Sequence, residues 1–233
     1  MPRPGQNAVA ARPLHFIWIV DCSASMGGAK IQELNTAIKE ALPDMVAVAA
    51  QNPFAEMLIR TVKFSNGAQW HDSAPTKVAD FKWRDLADDG VTDLGAALNL
   101  VADALTVEKL GERGYPPVLV LLSDGQPTDD YKSGLNRLMS TQWGRRAARV
   151  AIAIGADCDH GPLVDFIGNV ERPVLKANNP QQLTHYIKWV SSQVSKAASS
   201  PTSQTKSPGT TDGDTFVVIP DPPLPPSTGA DVW

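Results

Sequence analysis

Apolar residues follow two alternating rhythms over the first 197 positions: short unbroken runs, and longer stripes spaced three and four apart. The runs are Leu14, Phe16, Ile17, Trp18, Ile19 and Val20, then Met57 to Phe64, Val118 to Leu122, Val150 to Ile154 and Val174 to Lys176. Unbroken runs rich in β-branched residues predict strands covered on both faces. One stripe, Ile31, Leu34, Ile38, Leu42 and Met45, predicts a helix over 29–50 with a kink at Pro43. A second stripe is Leu94, Ala97, Leu98, Val101, Leu105 and Leu110, and further helices are predicted over 131–144, 163–168 and 180–196. Ser65-Asn66-Gly67 signals a turn, after which 68–71 returns as a short antiparallel edge strand. Thr92 or Asp93 is a suitable cap for the following helix. Strand and helix alternate almost throughout. This predicts an α/β fold: a doubly wound, mostly parallel six-stranded sheet with helices on both faces, right-handed crossovers and one antiparallel edge strand.

The ends of the chain break this rhythm. Residues 1–13 hold three prolines and no periodic pattern, so they read as a flexible N-terminal arm, with the α/β domain over 14–197. Residues 198–233 hold seven prolines and eleven Ser/Thr, too little apolar material for a core, and read as a flexible Pro/Ser/Thr-rich tail. Its one apolar island, Phe216-Val217-Val218-Ile219, precedes a proline-rich stretch suited to strand addition or polyproline recognition. Trp233 is a candidate docking residue.

Charge divides the same way. Of the formal net charge of -4, the tail carries -3, from Lys206 against Asp212, Asp214, Asp221 and Asp231. Without a basic run there is no footprint for nucleic acid or an anionic membrane, and no apolar stretch approaches the roughly 18 residues that span a bilayer. Two cysteines, Cys22 and Cys158, provide no disulfide framework, and with no signal-like start the expected location is cytoplasmic.

The chemistry is concentrated where the two most apolar strands stop. In open α/β sheets, ligands gather at the carboxyl ends of neighbouring strands whose connections leave to opposite faces. One such strand ends in Asp21-Cys22-Ser23-Ala24-Ser25, the other in Ser123-Asp124-Gly125, and a third polar loop carries Thr92. Asp21, Ser23, Ser25, Thr92 and Asp124 form a hard-oxygen set of low charge. Such a set suits magnesium, with manganese or calcium as alternatives. Helix capping alone explains Asp21 and Ser25, but it requires neither Thr92 nor Asp124. Asp157-Cys158-Asp159-His160 mixes ligand types without a second cluster and reads as a polar turn.

Asp21-x-Ser23-x-Ser25, Thr92 and Asp124, in that order, resemble the metal-ion-dependent adhesion site of von Willebrand factor A domains, over about Leu14 to Lys196. Val20 to Met26 and Leu122 to Thr128 are most similar to the tellurium-resistance TerY-like bacterial branch. The resemblance implies that Ser23, Ser25 and Thr92 coordinate the metal directly, and Asp21 and Asp124 directly or through water. A partner's Asp or Glu carboxylate then completes the shell. It further implies a neighbouring serine/threonine kinase and PP2C-type phosphatase in a stress or conflict response, which makes Thr210, Thr211 and Thr215 candidate phosphoacceptors. The leading expectation is a non-enzymatic, metal-dependent protein-interaction module, one of whose tail aspartates could occupy the metal site of the same or a neighbouring molecule. The alternative is a magnesium-dependent phosphotransfer enzyme with Asp21 as nucleophile. Against it stand Ser23, where phosphatases of that kind place a second aspartate, and the lack of any phosphate loop.

Overall fold

The structure, a computed structural model, describes residues 11–169, 171–200, 204–206, 215–224 and 226. Strand β1 (Arg12–Asp21) leads into helix α1 (Ala29–Gln51), which continues through Pro43. Then come β2 (Ala55–Ser65), β3 (Gly67–Trp70), β4 (Thr76–Lys77), α2 (Leu94–Ala104) and α3 (Val107–Leu110). The chain continues through β5 (Val118–Ser123), α4 (Tyr131–Ser140), α5 (Gln142–Arg146), β6 (Ala148–Ile154), α6 (Gly161–Ile167), β7 (Leu175–Ala177) and α7 (Pro180–Trp189). A widened turn over Val190–Val194 joins α7 to α8 (Ser195–Ala198), and β8 (Gln204–Lys206) pairs antiparallel with β9 (Thr215–Val217).

The main sheet runs β3-β2-β1-β5-β6-β7, parallel from β2 to β7. The predicted six strands are present with the antiparallel hairpin at one edge, where Gly67 takes the positive φ that its tight turn requires. The two-residue β4 also pairs antiparallel with β2, adding a seventh strand. Side chains of β1 alternate between two cores, as the pleat dictates. Leu14, Phe16, Trp18 and Val20 pack under α1 and α7, whereas Ile17 and Ile19 pack under α2, α4 and α6. The connection after β1 therefore leaves to one face and the connection after β5 to the other. Their adjacent carboxyl ends form the switch point of the sheet.

Several boundaries differ from the sequence pattern. Strand β1 starts at Arg12, two residues into the expected arm, because Arg12 and Pro13 pair in register with Ala55 and Glu56. The helix expected over 131–144 divides at Thr141, whose extended backbone and hydroxyl cap a new helix by accepting from Gly144 N at 2.9 Å. The stripe ending at Leu110 likewise breaks at Leu105–Thr106. In both places side-chain periodicity survives while the backbone breaks, which spacing cannot report.

The apolar island does not project as a free peptide. Val217 is buried, its carbonyl accepts from Arg172 Nη2 at 3.0 Å, and Ile219 packs against the core beneath α1 and α7. Asp221 borders a cavity with Arg149 and Val150, at the amino end of β6 and thus opposite the switch point. Asp221 therefore does not reach the predicted metal site. Trp233, Thr210, Thr211, Asp212, Asp214 and Asp231 lie outside the described residues.

Candidate metal centre

Three loops converge at the switch point. The first follows β1: Asp21 Oδ1 accepts from Ser23 N at 2.9 Å, bending the chain into a single helical turn over Ala24–Met26. Ala24 N donates to Gly90 O at 3.0 Å and Asp89 N to Cys22 O at 2.7 Å, so the second loop is held against the first. The third follows β5 and is clamped to the second from both sides. Thr128 N donates to Thr92 O at 2.9 Å, and Thr92 N donates to Thr128 Oγ1 at 3.1 Å.

Within this frame the predicted residues meet. Ser25 Oγ donates to Asp124 Oδ1 at 2.8 Å and lies 3.0 Å from Ser23 Oγ. A hydroxyl has one proton, so Ser23 donates to Ser25 and Ser25 to Asp124. Thr92 completes the group: a Cβ placed on Gly125 would stand 3.5 Å from Ser25 Oγ and 3.6 Å from Thr92 Oγ1. Glycine leaves open a cradle edged by both hydroxyls. Asp21 lies deeper and fully buried, with Oδ2 accepting from Ser123 Oγ at 2.6 Å. Burial raises the Asp21 pKa, the Ser123 and Ser23 hydrogen bonds oppose that rise, and the Asp124 charge adds to it.

Residues outside the predicted set also build the site. Ser123 fixes Asp21, and Thr128 Oγ1 donates to Asp93 Oδ1 at 2.9 Å. The expected cap of α2 is replaced by a distant one. Asp93 stands at the cap position without a capping side-chain bond, while Asp129 Oδ1 and Oδ2 accept from Gly95 N and Ala96 N, each at 2.8 Å. Asp93 Oδ2 instead accepts from Gly67 N at 2.7 Å, tying this loop to the β2–β3 hairpin. The Lys30 ammonium meets Asp124 Oδ2 and donates to Ser25 O at 3.2 Å. A cation thus already sits on the carboxylate, and the donor set consists of oxygens only. Open space, hard oxygens and a stand-in ammonium all fit a divalent cation. Among the described residues no three His, Cys, Asp or Glu side chains cluster as a metal site of another type.

In comparison with known families, the von Willebrand factor type A domain matches residues 17–188. The chain belongs to this family. Among solved structures, the A-domain fold recurs in the ArnB paralog VWA2 from Sulfolobus acidocaldarius, at 18% identity and TM-score 0.57, covering 77% of this chain and 45% of that one. It recurs in a von Willebrand factor type A protein from Catenulispora acidiphila, at 14% identity and TM-score 0.58, covering 80% and 43%. A third is proximal thread matrix protein 1 from the mussel byssus, with a zinc-occupied MIDAS motif, at 18% identity and TM-score 0.58, covering 80% and 49%. This A domain spans less than half the length of each of these proteins. At such identities the likeness establishes the fold. No curated protein matches the sequence. No helix among the described residues is long and apolar enough to cross a membrane.

Proposed function

We propose that this A domain is a metal-dependent protein-interaction module. A divalent cation, magnesium in the first instance, is held by Ser23, Ser25 and Thr92, with Asp21 and Asp124 ligating directly or through water. The cation supplies an open coordination position for a partner's Asp or Glu carboxylate. The observation that carries this reading is the convergence of Ser23, Ser25 and Asp124 in one hydrogen-bonded chain, beside the Gly125 cradle that Thr92 also borders. Neutral hydroxyls leave the bound ion with excess positive charge, and that excess attracts a further carboxylate. The zinc-occupied MIDAS motif of the mussel protein is in keeping with the same chemistry here.

A role for Asp21 as a phosphotransfer nucleophile is poorly supported. The carboxylate is fully buried and oriented by Ser23 N and Ser123 Oγ, which leaves it without the solvent-facing approach that an incoming phosphoryl group needs. Support for a TerY-like kinase and phosphatase setting is the resemblance of Val20 to Met26 and Leu122 to Thr128 to that branch. We place the module there as an adaptor or regulated component.

Calorimetric titration with Mn2+ tests the metal reading directly. The wild-type chain is expected to bind one ion and the Asp124→Ala variant none, with both folded by circular dichroism. Affinity purification with and without EDTA then tests the interaction reading. Capture of the same proteins by wild type and by Asp124→Ala, regardless of chelator, would overturn it.

A further inference from the structure

Lys30 occupies a position that local rules disfavour. It is the second residue of α1, and the amino end of a helix carries partial positive charge that repels a cation. No acidic residue stands in that first turn to offset the repulsion. The side chain instead reaches the third loop of the site, where its ammonium meets Asp124 Oδ2, and it also donates to Ser25 O at 3.2 Å. The Asp124 side chain is 1% exposed and that of Lys30 20%, so the pair is largely removed from water. A buried carboxylate left without a cationic partner is costly, which explains why the ammonium is drawn there against the helix field.

We infer that Lys30 is the resident cation of the metal-free site: its ammonium neutralises Asp124 and links the first loop to the third, and a divalent ion binds only by displacing it. The inference rests on the metal reading above and concerns how that site is regulated. Binding is an exchange of one cation for another. Metal affinity is therefore lower than the oxygen set alone would give, and the site remains assembled when metal is removed. Lys30 thereby sets the metal concentration at which the interaction surface switches on.

The experiment is Mn2+ titration by calorimetry, paired with thermal unfolding in EDTA and in saturating Mn2+, on wild type and on the Lys30→Met, Lys30→Arg and Asp124→Ala variants. Methionine keeps the length and apolar stem of lysine but removes the charge. Lys30→Met is expected to bind Mn2+ about tenfold more tightly than wild type, a difference of about 1.4 kcal/mol. It should also lose several degrees of Tm in EDTA relative to wild type and, because a more tightly bound ion stabilises more, gain more Tm than wild type does on adding the same Mn2+ concentration. Lys30→Arg, which keeps the charge, should retain the wild-type affinity. Equal affinity in Lys30→Met and wild type, with Asp124→Ala abolishing binding, overturns the role of Lys30 and leaves the metal site standing. Absence of Mn2+ binding in both wild type and Lys30→Met overturns the metal site and this inference with it. An affinity gain in Lys30→Arg equal to that in Lys30→Met overturns the charge argument.

Discussion

Ser25 Oγ donates to Asp124 Oδ1 at 2.8 Å, joining two loops that lie 99 residues apart in the chain. Nothing local to either loop requires this bond. It exists because β1 and β5 are hydrogen-bonded neighbours, with Val20 opposite Leu122, so that both strands end at the same height. The convergence leads to the following expectations.

Ser123 is not itself one of the predicted ligands, yet its hydroxyl fixes Asp21 Oδ2 at 2.6 Å. Groups that orient ligands from behind are typically worth 10- to 100-fold in metal affinity, so Ser123→Ala should weaken Mn2+ binding by about that factor. Calorimetry measures the loss, and an unchanged far-ultraviolet spectrum separates it from unfolding.

Asp129 caps α2 across 34 residues by accepting from Gly95 N and Ala96 N. Losing a helix cap costs about 1 kcal/mol. Asp129→Ala should lower unfolding free energy by that amount in urea titration. It should also weaken metal binding, because the same loop carries Thr128, which clamps Thr92.

Helices α2 and α4 approach so closely that a Cβ on Gly134 would lie 2.6 Å from Gly95 O. The obstacle is backbone, which cannot swing aside. Gly134→Ala should destabilise the domain by about 1 to 3 kcal/mol, the usual cost of forcing atoms into a filled interface, despite the higher helix propensity of alanine. Urea midpoints of the two proteins provide the check.

His15 is held below its ordinary 6.5 by burial and then by the Arg60 guanidinium. A base with a depressed folded pKa binds its proton less tightly folded than unfolded, so stability is complete above about pH 6.5 and declines as pH falls through that value. Tm should therefore drop on acidification from pH 7 to 5.5, and His15→Leu should flatten that slope.

Both thiols should be silent in the native state. Cys22 is pushed up to about 12 by burial, then by Asp21, and Cys158 up to about 11 by burial, then by Asp124. At pH 8 the thiolate fraction of Cys158 is then roughly a hundredfold below that of a free thiol. Native protein should release almost no colour from Ellman's reagent at pH 8, and two equivalents in urea.

Much of this molecule was legible before any folding. Unbroken apolar runs marked the buried strands because both faces of a parallel sheet are covered, and three-four spacing marked helices because each buries a single stripe. Asp21, Ser23, Ser25, Thr92 and Asp124 could be named because each stands at the end of a strand, just past one or just before a helix. Some mistaken boundaries share one physical cause. The breaks at Thr141 and Leu105 leave the apolar spacing intact, so the pattern runs through them, while a hydroxyl cap or an altered backbone angle ends the helix.

The sequence by itself determined the alternation of elements, the order of the motif pieces and the concentration of acidity in the tail, because these depend on neighbours a few positions away. Tertiary structure decided everything that depends on which loops meet. It set Lys30 on Asp124 against its own helix field, gave α2 a cap from Asp129 and not from Asp93, and seated Val217 and Ile219 against the domain. A buried polar or charged group must find a partner wherever packing places one, and an apolar segment must find cover in the same way. Those partners are chosen by distance in space, which only the closed sheet and its helices define.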